Sequence, residues 1–466
     1  MGESTTTTTN LQPAQWGKSL LATQFMIDPS YRNLNHGSFG TYPTHVRDKL
    51  QHYQALSEST PDLFIRYQYP KLLAESRAAI ASLLRVPADT CVFVPNATTG
   101  VNTVLRNLTW NPDGKDVIVY FDTIYGGCGK TVDYVLEDRQ GKVSAKVVPL
   151  DYPCSDRAVV EAFVSALDEV SAAGSRAKVA IFDVVTSQPG VRFPFEEITR
   201  VCREKGVLSL VDGAQGVGMV DIDLSKTDPD FFVSNCHKWL HVPRGCAVLY
   251  VPKRNQDLIR SSLPTSHGFL PLPAEPSGGV GGDRKRRLNE LAPGDSNPWI
   301  NQFNFVGTVD NSPYLCVRDA IEWRKEVLGG EDKIIKGLME MARAGGKIVA
   351  DILGTEVFDN DEGTMTGSSM VNVVLPLAVE EAAAAEKSGA GVVFEVKKED
   401  AEAVGQFIVN ALTDEFKTFI PIFLYKGRWL ARLSAQVYLE LEDFEWAGQR
   451  LKEIVERIKK GEYKKE

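Results

Sequence analysis

The stretch SNCHKWLHVPRGCAVLYV, residues 234–251, sets His237, Lys238 and Trp239 between two apolar, strand-like runs. A lysine beside buried strands must be paired, deprotonated or covalently used, because an unpaired charge there costs several kcal/mol or shifts its pKa strongly. Lys238 is therefore either a solvated loop residue or a reactive amine. Earlier in the chain, VDGAQGVG ends another apolar run with Asp212, followed by Gln215. A carboxylate between an apolar strand and a small-residue turn needs a cation or hydrogen-bond donors, and a protonated ring nitrogen is a suitable partner. A third run, VPNATTGVN, ends a strand and opens a helix with Thr98, Thr99 and Gly100. Free N–H groups and two hydroxyls then converge at a helix N-terminus, a ready site for a phosphate, although the same residues also serve as ordinary caps.

An amine, a carboxylate for a heterocyclic N–H and a phosphate cradle, each at a strand end, are together what pyridoxal 5'-phosphate requires. The elements that must position them follow an α/β pattern. From about residue 62 to 251, short β-rich runs alternate with amphipathic stretches, the signature of a parallel sheet with crossover helices. Strands are expected at 90–96, 116–121, 145–150, 178–185, 207–214 and 231–238, with 246–251 as hairpin or neighbour of the last. Helices are expected at 69–85 and 195–206, the second ending on Gly206. In such sheets ligands bind beyond the carboxyl ends of the strands.

Three parts are expected: an N-terminal segment (1–60) that helps to close the site, a large cofactor-binding domain (61–312), and a smaller C-terminal α+β domain (313–466). Within the second, the Pro-, Gly- and charge-rich stretch 265–301 reads as a long loop or lid. Its basic run, Arg284 to Arg287, reads as a solvated patch.

Bulk properties narrow the partners. With 52 basic and 61 acidic residues among 466, the net charge of -9 argues against a general nucleic-acid binder and leaves small molecules. The seven cysteines form no CxxC pair and no metal-ligand spacing, so no metal is expected and a reducing compartment is the simplest setting. No secretory signal pattern and no run of about 18 apolar residues occurs, so a cytoplasmic protein without membrane attachment is expected.

From NLNHGSFG (33–40) to RLSAQVY (432–438), the ordered motifs resemble the fold-type-I pyridoxal-phosphate enzymes of the class V aminotransferase group. That group includes cysteine desulfurases and isopenicillin N epimerase-like proteins. The resemblance implies a large domain with a mostly parallel seven-stranded sheet and a smaller C-terminal domain. It implies that Lys238 carries the cofactor, that Asp212 holds the pyridine nitrogen protonated, and that Gln215 approaches the phenolic oxygen. Thr98, Thr99, Ser234 and His237, with the backbone near Gly100, would bind the phosphate. Thr308, in FVGTVD, would reach it from the neighbouring subunit of a homodimer with shared active sites. Arg432 would grip the substrate α-carboxylate, for which a guanidinium fork is well shaped. Tyr125 would stack on the pyridine face, where many desulfurases carry His. Asn35, His36 and Phe39 would close over the substrate.

This set leaves transamination, epimerisation, β-elimination and desulfuration open. A desulfurase needs a nucleophilic cysteine on a mobile loop, and between Lys238 and Arg432 only Cys246, on a strand, and Cys316, in a helix, are available. An elimination needs only a base and an acid. Lys238 is the natural base, and Cys128, expected to have a lowered pKa at a helix N-terminus, or Cys154 is the candidate acid, with Tyr125 beside them in the catalytic set. At the level of the whole chain the likeness is to the ergothioneine-pathway carbon–sulfur lyases. These split hercynylcysteine sulfoxide, an amino-acid sulfoxide, into a sulfenic acid, pyruvate and ammonia. The substrate's trimethylammonium group would favour aromatic faces, and some of Phe39, Tyr42, Phe64, Tyr67 and Tyr69 are expected to line that end. An epimerase, an aminotransferase, a desulfurase and a catalytically silent scaffold are the alternatives.

Overall fold

The computed structural model describes residues 11–271, 297–380 and 393–464. The expected lid at 265–301, including its basic run, therefore lies largely outside the described residues.

The chain enters the large domain through helices α1 (Thr44–Ser59) and α2 (Tyr69–Leu83). Then come β1 (Cys91–Val94), α3 (Ala97–Asn107), β2 (Asp116–Phe121), α4 (Gly126–Arg139), β3 (Val143–Val148), α5 (Asp156–Ala172) and β4 (Arg176–Asp183). The second half continues with α6 (Phe195–Lys205), β5 (Leu208–Asp212), β6 (Phe231–Asn235), α7 (Cys236–Trp239) and β7 (Ala247–Tyr250). The strands form one sheet in the order β1-β7-β6-β5-β4-β2-β3. Strands β2 to β6 pair in parallel, while β7 runs antiparallel to both β1 and β6. Val, Ile and Phe dominate these strands, and β1, β6 and β7 are buried along their whole length, as expected of a sheet covered on both faces. Helix α6 shows why its residues form a helix. Glu196 and Glu197 lie in its first turn, Arg203 and Lys205 in its last, and Gly206 (φ 69°) takes the left-handed C-cap.

Helix α8 (Ser312–Leu328) packs on α1 and α2 and leads through α9 (Glu331–Leu353) into a second sheet. That sheet contains β8 (Met370–Val379), β9 (Phe394–Val396), β10 (Ile422–Tyr425) and β11 (Arg428–Ser434), in the order β10-β11-β8-β9. Helices α9 and α10 (Leu441–Lys459) pack together beside it. The N-terminal segment contributes Leu20, Phe25 and Leu34 to the core of this second sheet, beside Trp323 and Tyr438.

The sequence reading extended four strands too far. β1 stops at Val94, β4 at Asp183, β5 at Asp212 and β6 at Asn235, so Lys238 sits on the one-turn α7 and not on a strand. Among the described residues no helix is long and apolar enough to cross a membrane, and no cluster of His, Cys, Asp or Glu could hold a metal ion.

Arg324 on α8, fully buried, locks this arrangement. Its Nε and Nη2 each donate to Glu331 at 2.6 Å, Nη1 donates to the Trp239 carbonyl (2.7 Å) and to His241 Nδ1 (2.9 Å), and Nη2 also reaches the Gly218 carbonyl at 3.0 Å. One guanidinium thus ties α8 to the end of α7 and to the turn after β5. Replacing it leaves Glu331 and two buried carbonyls without their donor. We expect Arg324→Leu to destabilise the protein by about 3–5 kcal/mol in urea denaturation; a loss under about 1 kcal/mol would show the lock to be dispensable.

Candidate active site

The carboxyl ends of β4, β5 and β6 carry the chemistry. Asp183 and Asp212 end adjacent parallel strands as direct register partners, and both are buried. The turn after β5 fixes Asp212, whose Oδ1 accepts from the Ala214 N–H at 2.9 Å while its Oδ2 faces the Cys128 thiol at 3.2 Å. Burial drives the proton affinity of both carboxyls up, while the nearby Lys238 opposes the rise. Burial likewise lowers the Lys238 pKa to about 8, against the pull of Asp212.

The backbone of Lys238 is held from the N-terminal segment. His36, wholly buried, has its Nε2 2.6 Å from the Lys238 carbonyl, so Nε2 carries the hydrogen, and Nδ1 accepts from the Tyr438 hydroxyl at 3.0 Å. Burial holds this ring neutral, with its pKa lowered to about 3. Gly40 (φ 64°) lies against the same turn, and a Cβ there would stand 1.9 Å from the His237 carbonyl oxygen. Arg244 donates to the Phe39 and Gly40 carbonyls, and Gln215 donates from Nε2 to Gly37 O (2.7 Å) while accepting from Trp239 Nε1 (2.6 Å). Phe39 itself is 69% exposed.

At the start of α3, Asn96 caps the Thr99 N–H at 2.8 Å and Asn235 Oδ1 accepts from Ala97 N–H at 2.9 Å. The Thr98 N–H then has no protein acceptor among the described residues. Gly100 allows α3 to approach β6, since a Cβ there would meet Val233 at 2.5 Å. Tyr125, half exposed, caps α4 and lays its ring near Gly127, whose added Cβ would stand 2.9 Å from the Tyr125 ring and 3.8 Å from Thr98 Oγ1. His237 Nδ1 donates to the Cys246 carbonyl at 3.0 Å, and burial lowers its pKa to about 4. A phosphate dianion beside it would raise that value again.

Arg432, on β11, is 2% exposed. Its Nη1 donates to the Ser187 carbonyl at 2.6 Å and its Nη2 to Asn35 Oδ1 and Ser38 Oγ, both at 3.0 Å. Nε has no partner, and among the described residues no carboxylate pairs with it. Burial alone lowers its pKa to about 10. A guanidinium so placed is a receptor for an anion.

Several expectations change. Ser234 is fully buried with its hydroxyl bonded to Gly213 O and Val217 N–H, because strand alternation turns it away from the face that Val233 and Asn235 present to α3. Asn235, unremarked in the sequence, takes the place at the cradle. Asp183 was also missed, and only its position at a strand end could have signalled it. The Cys128 thiol is not acidic; burial and the Asp212 charge push its pKa far up. Cys154, half-buried, rises to about 11 for the same first reason. Thr308 is exposed, and no hydrogen bond among the described residues ties it to Lys238. Of the five aromatic residues some of which are expected at the betaine end, Phe64 and Tyr69 are buried in the large core with ring centroids 6.4 Å apart.

Comparison with known proteins gives a consistent picture. A profile of the class V aminotransferases matches residues 41–268. The L-cysteine desulfhydrase-like protein lolT1 of Epichloe uncinata is 38% identical over 97% of this chain and 98% of its own. The hercynylcysteine sulfoxide lyase of Schizosaccharomyces pombe is 29% identical over 92% of this chain and 96% of its own. Among solved structures, C-DES with glycine covalently linked to its PLP cofactor superposes with a TM-score of 0.68 at 18% identity, covering 93% of this chain and 98% of that one.

The lowered pKa of Lys238 sets how the amine behaves. Its neutral fraction, and so the rate at which cofactor-free protein captures pyridoxal phosphate, should rise about fivefold between pH 7 and 8 and level off above 9. Stopped-flow absorbance measures it; a rise of about tenfold per pH unit continuing to pH 10 would mean an ordinary lysine.

Proposed function

Because the chain belongs to the class V aminotransferase family and is a pyridoxal-phosphate enzyme of the carbon–sulfur lyase and cysteine desulfhydrase type, we propose that it cleaves hercynylcysteine sulfoxide by β-elimination. The observation that carries the reading is Arg432, a buried guanidinium with a free Nε and no carboxylate partner among the described residues. It binds the α-carboxylate of an amino acid between Asn35, Ser38 and the Ser187 carbonyl, where the neighbouring acceptors orient the fork without neutralising it.

Pyridoxal phosphate, when bound, supplies the electron sink that makes the substrate Cα–H acidic. Lys238 would hold it covalently, Asp212 would serve its ring nitrogen, Tyr125 its ring face, and Thr98, Thr99 and His237 its phosphate. Gln215 has one amide hydrogen left for the phenolic oxygen after its bond to Gly37. Once the substrate's amino group has displaced it from the cofactor, Lys238 Nζ, its proton affinity lowered by burial, would take the proton from the substrate Cα. The N-terminal segment is pinned beside the lysine turn by His36, which bonds the Lys238 carbonyl, and by Arg244, which donates to the Phe39 and Gly40 carbonyls.

Two features favour elimination over persulfide transfer. Six of the seven cysteines are buried, and Cys154 alone is partly accessible, with its thiol pKa pushed up to about 11. A sulfur acceptor needs an accessible thiolate. A second substrate, L-cysteine itself, is favoured by the 38% identical relative named for desulfhydrase activity. Thr308 and the 65% exposed Val309 support a homodimer in which this stretch reaches the partner's phosphate.

The test is release of pyruvate and ammonia from purified holoenzyme given hercynylcysteine sulfoxide, L-cysteine and S-alkyl cysteine sulfoxides in parallel. Release from the first at the highest kcat/KM supports the proposal. Preference for L-cysteine moves the assignment to a desulfhydrase, and recovery of intact, epimerised amino acid overturns elimination. On the preferred substrate, Arg432→Met should lower kcat/KM by roughly 30-fold or more, the loss expected from about 2 kcal/mol of buried charge pairing.

A further inference from the structure

Two carboxyls, Asp183 and Asp212, stand side by side at the ends of β4 and β5, 7% and 3% exposed. Two like charges in so little water do not both persist, so such a pair holds one negative charge between them. The groups facing it are Lys238 from α7, Cys128 from α4 and Tyr152 from the loop after β3; Arg432 from β11 acts on Lys238. Lys238 favours the charge on either carboxyl. The hydrogen bonds are unequal. Asp212 receives the Ala214 N–H and the Cys128 thiol, whereas no donor among the described residues reaches the Asp183 side chain. Among the described residues only one side chain, Cys128, therefore distinguishes the two acids by donating to one of them.

We propose that Cys128 is a positioning residue that fixes the single charge of the pair on Asp212, the carboxylate that serves the cofactor's ring nitrogen, and leaves the proton on Asp183. The thiol acts as a hydrogen-bond donor and never as an acid in turnover, in keeping with its 1% exposure. A neutral Asp212 would hold the ring nitrogen poorly, so the competitor Asp183 makes the donor necessary. This rests on the pyridoxal-phosphate reading but not on the identity of the substrate.

The experiment is a double-mutant cycle read on cofactor affinity, by the visible absorption band of the protein titrated with pyridoxal phosphate, without substrate. Cys128→Ala is expected to raise the dissociation constant about tenfold, the size of a lost hydrogen bond to a charged group, and Cys128→Ser to restore it to within about threefold. In the Asp183→Asn background, where no second acid competes, Cys128→Ala should raise it about threefold or less. Equal effects in both backgrounds, or failure of serine to rescue, would overturn the proposal while leaving the cofactor assignment intact. A parent protein that develops no visible band would overturn both.

Discussion

Everything at this site follows from the burial of three ionisable side chains, Asp212, Asp183 and Arg432, around the partly buried Lys238, where three strand ends of one sheet meet a strand of another. Fully ionised, they would be costly to take out of water. The fold meets that cost unevenly. Asp212 has donors, Lys238 has Asp212 nearby, and Arg432 has only neutral oxygens. The least compensated charge is thus the one that, on our proposal, a substrate carboxylate completes, and the least compensated acid, Asp183, is the one proposed to keep its proton.

A second layer keeps those groups in place. Lys238 sits on a single helical turn, too short to be rigid alone. Its two flanks are fixed from elsewhere: His36 takes the Lys238 carbonyl, and Arg324 takes the carbonyl of Trp239. Trp239 in turn orients Gln215, which grips Gly37. The closing segment, the lysine turn and α8 therefore form one hydrogen-bonded unit. Its two histidines, His36 and His241, are held neutral by burial, so their bonds persist across the physiological pH range.

Placement of the cysteines separates chemistries that share this scaffold. A cysteine desulfurase stores sulfur on a thiol; here six of the seven thiols are buried as small apolar side chains, and one of these, Cys128, donates to a carboxylate of the site. The site instead offers an amine able to act as a base and a receptor for a carboxylate, which suits the elimination we propose.

Beyond the family resemblance that pointed to Arg432, the sequence alone determined the α/β class, the six parallel-type runs and their order along the chain, and the lysine and aspartate where such runs end. Those signals are local: apolar periodicity, and a charged residue where an apolar run stops. Ends of elements were less legible, which is why Lys238 was read on a strand and Ser234 on the wrong face. A shift of one residue along a strand reverses the side, and nothing in SNCHK announces where pairing ceases. Only the tertiary structure decided that Asn235 and not Ser234 meets α3, that Cys128 faces Asp212, that Asp183 stands beside it, and that His36 and Arg324 bond the carbonyls of Lys238 and Trp239. These are contacts between residues far apart in the chain. Their pKa values follow from mutual burial, which has no expression in sequence until the strands are laid side by side.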